Sequence, residues 1–119
     1  MSKVIHQWKS ISLIEENVTL PTNVVVKHTT INHPGAAVIL PITSSGKIIL
    51  INQFRPSLKK WLLELPAGTM EIGETPLECA QRELEEETGY SATSFQSLGQ
   101  VTPLAGFLSL IHISEPTRR

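Results

Sequence analysis

One cysteine, Cys79, is all the sequence contains, so no internal disulfide can form. It is expected to be a small helix residue rather than a reactive thiol. Long apolar runs are missing as well. The longest, residues 36–40 and 48–51, fall far short of a bilayer crossing. No apolar stretch of the kind found in a secretion signal follows residues 1–7. These absences make a cytoplasmic protein the expectation. Neither sign of charge is in excess, the formal net charge being −1, so there is no basic footprint for nucleic acid or a membrane surface. Aspartate is absent altogether. All eleven acidic residues are glutamate, and seven of them lie between Glu71 and Glu87.

What is present reads as one globular domain. The chain has 119 residues and is 40% hydrophobic. No repeat or low-complexity segment interrupts it. β-Branched runs over residues 8–15 and 18–30 predict N-terminal strands, broken at Glu16-Asn17 and at residues 21–23. A turn at residues 33–35 precedes two strong strands, 36–42 and 47–53, joined by a Gly-containing hairpin loop at 43–46. Residues 54–57 leave the second strand. Residues 61–65 predict a further short strand, ended by Pro66-Ala67-Gly68, and 95–101 another. Trp61 is expected to anchor the core rather than to stack on a base.

A helix from Pro76 to Thr88 has well-marked ends. Thr75 is a good N-cap, Pro76 suits the first helical position, and Glu78 completes a capping box. Gly89 is the natural terminator. At about 100° per residue, Leu77, Ala80, Leu84 and Thr88 share one face, with Gln81 beside them, and that stripe is expected to meet the core. Glu83, Glu86 and Glu87 are neighbours at i,i+3 and i,i+4. Like charges so placed repel, by roughly 4 kcal/mol for a pair about 4 Å apart near a surface. A divalent cation reverses that sign. Magnesium prefers hard oxygen ligands and bridges readily to phosphate, so the cluster makes sense as its seat.

The spacing narrows this further. Gly68, Glu74, Arg82-Glu83-Leu84, Glu86-Glu87 and Gly89-Tyr90 together match the Nudix box at its fixed positions, Tyr90 standing where an aliphatic residue is usual. The chain therefore resembles a Nudix hydrolase. The resemblance implies an α/β Nudix fold, with a mixed β-sheet in an α/β/α sandwich. It implies that Glu83, Glu86 and Glu87 bind magnesium, or manganese in its place, with the Ala67 carbonyl joining them because Gly68 lets the backbone approach. It implies that Arg82 and Glu74 orient these ligands.

Outside the box, residues 33–36, 53–56 and 61–68 resemble the ADP-ribose pyrophosphatase branch. This points to hydrolysis of ADP-ribose to AMP and ribose 5-phosphate. Arg55 is the expected substrate contact, with Glu64 lining the same pocket. Ala105 stands before Gly106 where the branch commonly has Pro, which leaves other sugar nucleotides or dinucleotides open as substrates. A non-catalytic binding or sensor domain is the alternative of a different class, although sensors typically lose box carboxylates and all are present here. Branch members are usually homodimers that exchange N-terminal strands, and residues 1–32 suit that. The expected partner is thus a nucleoside diphosphate-linked small molecule.

The last stretch reads differently. Residues from about Leu108 to Arg118 resemble one frame of a transposase adapter used in sequencing libraries. The expectation is a partial Nudix domain over residues 1–107, incomplete at its C-terminus, and a non-native tail over 108–119, in which His112 and Glu115 carry no function. A native strand over 108–113 is the competing expectation. The general-base Glu implied by the branch would lie downstream of Phe107.

Overall fold

The computed structural model describes residues 2–103 and the backbone of residues 112–118. The chain divides into two units, one built on residues 2–35 and the other on 36–101 with 112–118.

The first unit is an antiparallel meander of β1 (Ser2–Trp8), β2 (Ile11–Thr19) and β3 (Val25–Asn32), in that order. Lys9, at φ 53°, turns the chain between β1 and β2, where Trp8 pairs with Ile11. β2 starts later than the β-branched run predicts and continues straight through Glu16-Asn17. Both residues are held there by partners: Glu16 lies between Ser2 and His28, and Asn17 pairs with Lys27. Pairing on both flanks overrides a local break signal. Val4, Ile5, Trp8 and Val25 remain exposed on this sheet.

The second unit is built around β4 (Ala36–Ile42). Its residues alternate in burial, with Ala37, Ile39 and Pro41 facing inward. β5 (Ile51–Arg55) and β6 (Lys60–Glu64) form a separate antiparallel hairpin. The strand expected over 47–53 therefore begins only at Ile51, with Ile48 making an isolated bridge to Ile42. Trp61 does not anchor the core. It is 64% exposed and packs edge-on against Phe54 on the outer face of the hairpin. The reason is register: Phe54 and Trp61 are direct partners, so both point to the side opposite Gln53 and Arg55.

β7 (Ala67–Thr69) runs antiparallel to β4, pairing Ala37 with Gly68. The helix α1 (Pro76–Thr88) follows, with the boundaries predicted. The Thr75 side chain accepts from the Glu78 N–H, Glu78 returns the bond to Thr75, and Gly89 ends the helix at φ 75°. The stretch expected as one strand over 95–101 is two short pieces, β8 (Ser94–Phe95) and β9 (Gly99–Val101). β10 (His112–Arg118) lies parallel to β4 and antiparallel to β8 and β9. The tail expected to be foreign is thus placed as a strand in the sheet. The open edge of β4 offers donors and acceptors that main-chain pairing satisfies whatever the side chains are. The sheet is mixed, and α1 is the one helix among the described residues, giving an α/β arrangement.

Ala37, Ile39, Cys79, Ala80 and Leu84 form the core between β4 and α1, with Met70, Ala92 and Phe95 packed around them. Ala80 and Leu84 meet the core as the apolar stripe predicts, but the buried arc is shifted away from Leu77 towards Cys79. Leu77 is 43% exposed, whereas Cys79 is fully buried. The shift turns the side of α1 that carries Cys79, Glu83 and Glu87 towards β7, and this sets up the site.

Candidate functional site

Three helix side chains bind three successive residues of β7. The Ala67 N–H donates to Glu87 Oε1 at 3.2 Å. The Cys79 thiol donates to the Gly68 carbonyl at 3.5 Å. Arg82 Nη2 donates to the Thr69 carbonyl at 3.2 Å. These bonds fix the distance of β7 from α1. Gly68 makes that distance feasible. A Cβ built at this position would overlap the Glu83 carboxyl group.

Arg82 is the hub of the polar network. Its Nε and Nη2 grip Glu74 at 2.7 and 2.9 Å, a two-bond geometry that suits guanidinium and carboxylate. Nη1 reaches Glu83 Oε1 at 2.7 Å and Glu86 Oε2 at 3.2 Å, and Glu71 lies 3.2 Å from Nε. Arg82 holds its proton more tightly than usual, first because of Glu74. The bond to Arg82 draws the Glu74 carboxyl down to about 2, helped by the Glu71 N–H, which donates to Glu74 Oε1.

Glu87 is pushed the other way. Burial raises its pKa, the Ala67 N–H opposes that, and neighbouring Glu83 adds to it. Burial also pushes the Cys79 thiol up to about 11, so it is a proton donor to Gly68 and not a nucleophile.

Between β7, β4 and the β5–β6 hairpin lies a cavity of about 430 Å³, lined by Ala36, Gln53, Arg55, Ala67, Gly68, Thr69 and Glu87. The lining thus includes a carboxylate of α1, Glu87, and a guanidinium, Arg55. Arg55 is held by Glu64 through two bonds, Nε to Oε2 at 2.8 Å and Nη2 to Oε1 at 2.6 Å. Each partner shifts the other: Glu64 raises the Arg55 pKa, and Arg55 lowers that of Glu64.

A sequence model of the NUDIX domain matches residues 32–110. The chain belongs to the Nudix family. Among its relatives, the ADP-ribose pyrophosphatase of Bacillus subtilis (strain 168) is 41% identical over 110 residues, 92% of this chain and 60% of that protein. The methanol dehydrogenase activator of Bacillus methanolicus is 37% identical over 110 residues, again 92% of this chain and 60% of that protein. This chain therefore spans about 60% of the length of these curated relatives. The solved structure titled "Crystal structure of ADP compounds hydrolase" superimposes with a TM-score of 0.81, covering 99% of this chain and 64% of that one at 19% identity. At that identity, the likeness speaks for the fold.

The Nudix box accordingly starts on β7 and ends just past the C-cap of α1. Of the residues singled out from the sequence, Ala67, Arg82, Glu83 and Glu87 come together at the β7–α1 junction. Glu86 joins them only through Arg82. Among the described residues, no three His, Cys, Asp or Glu side chains converge at metal-ligand spacing. Glu83 and Glu86 are instead bonded to Arg82. Arg55 lines the cavity, whereas Glu64 is not among the lining residues and stands behind Arg55. Gln53, not among the expected site residues, shares the cavity. Period-2 alternation from Arg55 along β5 is the signal that finds it. His112 and Glu115 fall on β10, and their side chains lie outside the described residues. The general-base glutamate expected past Phe107 also falls outside what is described there.

Proposed function

We propose that the protein hydrolyses the diphosphate bond of ADP-ribose to AMP and ribose 5-phosphate with the help of a divalent cation, magnesium or manganese. The observation that carries this is the cavity itself, whose lining brings together the box carboxylate Glu87, the Arg55 guanidinium and the Gly68 backbone. The relative named ADP-ribose pyrophosphatase adds support for the substrate.

The donor set fits a hard cation. Glu83, Glu86 and Glu87 are carboxylates on one helix, the Ala67 backbone meets Glu87, and Gly68 leaves no Cβ between β7 and the Glu83 carboxyl. A bound ion would neutralise diphosphate charge and acidify a coordinated water. The chain's own residues do the rest. Arg82, pinned by Glu74, orients Glu83 and Glu86 and balances their charge while no ion is bound. Glu87 stays near the cavity because Ala67 holds one of its oxygens. Arg55 offers a cation to the diphosphate oxygens. Removal of the attacking water's proton is assigned to a glutamate downstream of Phe107, with Glu86 assisting from the box.

The same proposal takes the chain to be residues 1–107 of a cytoplasmic homodimeric enzyme, joined to a non-native tail at 108–119. The share of the relatives' length that it spans is consistent with this. The apolar side chains exposed on the β1–β3 sheet suit strand exchange between two copies. Re-amplifying the locus from source DNA tests the tail: a native frame running through codons 108–119 refutes it.

The function is tested on the full-length protein with a panel of ADP-ribose, sugar nucleotides and dinucleotides, each with and without EDTA and with Glu87→Gln as control. Turnover of ADP-ribose above the others, abolished by EDTA, is expected. Turnover indifferent to EDTA overturns the metal-dependent reading. Binding of ADP-ribose without release of AMP turns the assignment to a sensor domain.

A further inference from the structure

The Arg55–Glu64 pair is nine residues apart in sequence and spans the β5–β6 hairpin diagonally. Arg55 is opposite Lys60, whereas Glu64 is opposite Ile51, with the Gln53–Leu62 pair between them. All these residues share one face of the hairpin. To reach Glu64, the Arg55 side chain must fold back along its own strand, past Gln53, towards the end of the hairpin nearest β7. Without a partner there, an arginine beside the turn at Pro56 would extend into water.

The bonding pattern is selective. Glu64 occupies Nε and Nη2, one edge of the guanidinium. Nη1 has no hydrogen-bond partner among the described residues. The arginine lines the cavity that Glu87 borders, and the glutamate does not. We infer that Glu64 is a positioning residue: it holds Arg55 folded over the cavity with the Nη1 edge free for a diphosphate oxygen, and does not itself touch substrate. This rests on the proposed diphosphate contact of Arg55.

Two physical effects of Glu64 oppose each other, which makes the inference sharp. As a negative charge close to an anionic substrate, Glu64 weakens binding, so deleting it would tighten it. As a clamp, it removes rotamer freedom that a long arginine otherwise loses on binding, so deleting it would loosen binding. Arg55 is exposed and Glu64 half-buried, so solvent screens the pair and its effect on folding is small.

The test is calorimetric binding of ADP to the full-length protein in the presence of magnesium. ADP carries the adenosine and diphosphate of ADP-ribose, the substrate proposed above, without the scissile link to the second ribose. Four proteins are compared with wild type: Glu64→Ala, Glu64→Gln, Arg55→Ala and the double Arg55→Ala/Glu64→Ala. Glu64→Ala is expected to raise Kd about 3- to 10-fold, the cost of ordering one long side chain. Glu64→Gln keeps one acceptor and falls between. The double variant matches Arg55→Ala, because a clamp has nothing to do once its arginine is gone. Thermal midpoints of the Glu64 variants stay close to wild type. If Kd is unchanged or lower in Glu64→Ala, or if the double variant binds more weakly than Arg55→Ala, the positioning role is overturned while the Arg55 contact stands. Arg55→Ala binding like wild type, or wild type failing to bind ADP, removes the contact itself and the clamp with it.

Discussion

Gly68 and Glu83 divide one volume between them: the Glu83 carboxyl lies where a side chain on Gly68 would begin. Gly68 does not have the positive φ that favours glycine, so its absent side chain matters for space rather than for backbone conformation. The group that must yield to a Cβ is the end of a flexible side chain. Gly68→Ala should therefore cost little stability, below about 1 kcal/mol, because Glu83 can change rotamer. Function should suffer far more, since Glu83 is then displaced from its place beside β7. Turnover of ADP-ribose is expected to fall about 100-fold, as for other small misplacements of reacting groups. Urea melts and kcat on the same preparation check both halves. A large stability loss with normal kcat in the folded fraction would contradict the separation.

Arg82 is the only cation bonded to Glu74, Glu83 and Glu86 among the described residues. Arg82→Ala leaves those carboxylates to repel one another. The midpoint of thermal unfolding is expected to drop by roughly 5 °C. Millimolar magnesium should restore part of the loss, and more of it than magnesium adds to wild type, because a divalent ion replaces the missing charge. Equal magnesium shifts in the two proteins would show that Arg82 does not serve as the resident counter-charge.

Glu74 makes the low-pH behaviour specific. Its carboxyl is drawn to about 2 by Arg82 and the Glu71 N–H, well below the value of an unfolded glutamate. A depressed acid stabilises the fold above the unfolded pKa and loses that contribution as pH falls through the folded one. The stability gap between wild type and Glu74→Gln should therefore be full at pH 6 and shrink between about pH 4.3 and pH 2. Urea midpoints along a pH series read it directly. A gap that persists unchanged at pH 2 would mean that the Arg82–Glu74 pair is not what distinguishes the two proteins.

How much of this was readable beforehand follows the range of the interactions. The bounds of α1 came out to the residue because caps are local: Thr75, Pro76, Glu78 and Gly89 each act within a few positions. The box residues were legible because their spacing is a helical spacing. Strand limits were not, since β2 owes its run through Glu16-Asn17 to partners on two other strands. The shift of the buried arc on α1 was hidden for a similar reason. Apolar periodicity placed Ala80 and Leu84 in the core correctly and Leu77 wrongly, because it does not register the bonds that Cys79, Arg82 and Glu87 make to β7 on the other flank of the stripe. Glu64 behind Arg55 depends on hairpin register, which no local pattern in β5 or β6 specifies.

Glu87 ties stability to function with opposite signs. Burial and the nearby Glu83 charge make its ionised form unfavourable in the metal-free fold. A group with a raised folded pKa favours folding when protonated and works against it as pH rises through that pKa. At pH 7, the neutral isostere Glu87→Gln should therefore raise the thermal midpoint of the metal-free protein by a few degrees. Its amide oxygen can still accept from the Ala67 N–H, so the β7 contact survives. The same substitution removes a carboxylate from the proposed cation seat. Magnesium should then stabilise Glu87→Gln less than wild type, and ADP-ribose turnover should collapse. Scanning calorimetry with EDTA and with magnesium separates the two effects. If Glu87→Gln melts lower than wild type in EDTA, the buried charge is compensated by something other than a cation, and the electrostatic reason for a metal at this helix is lost.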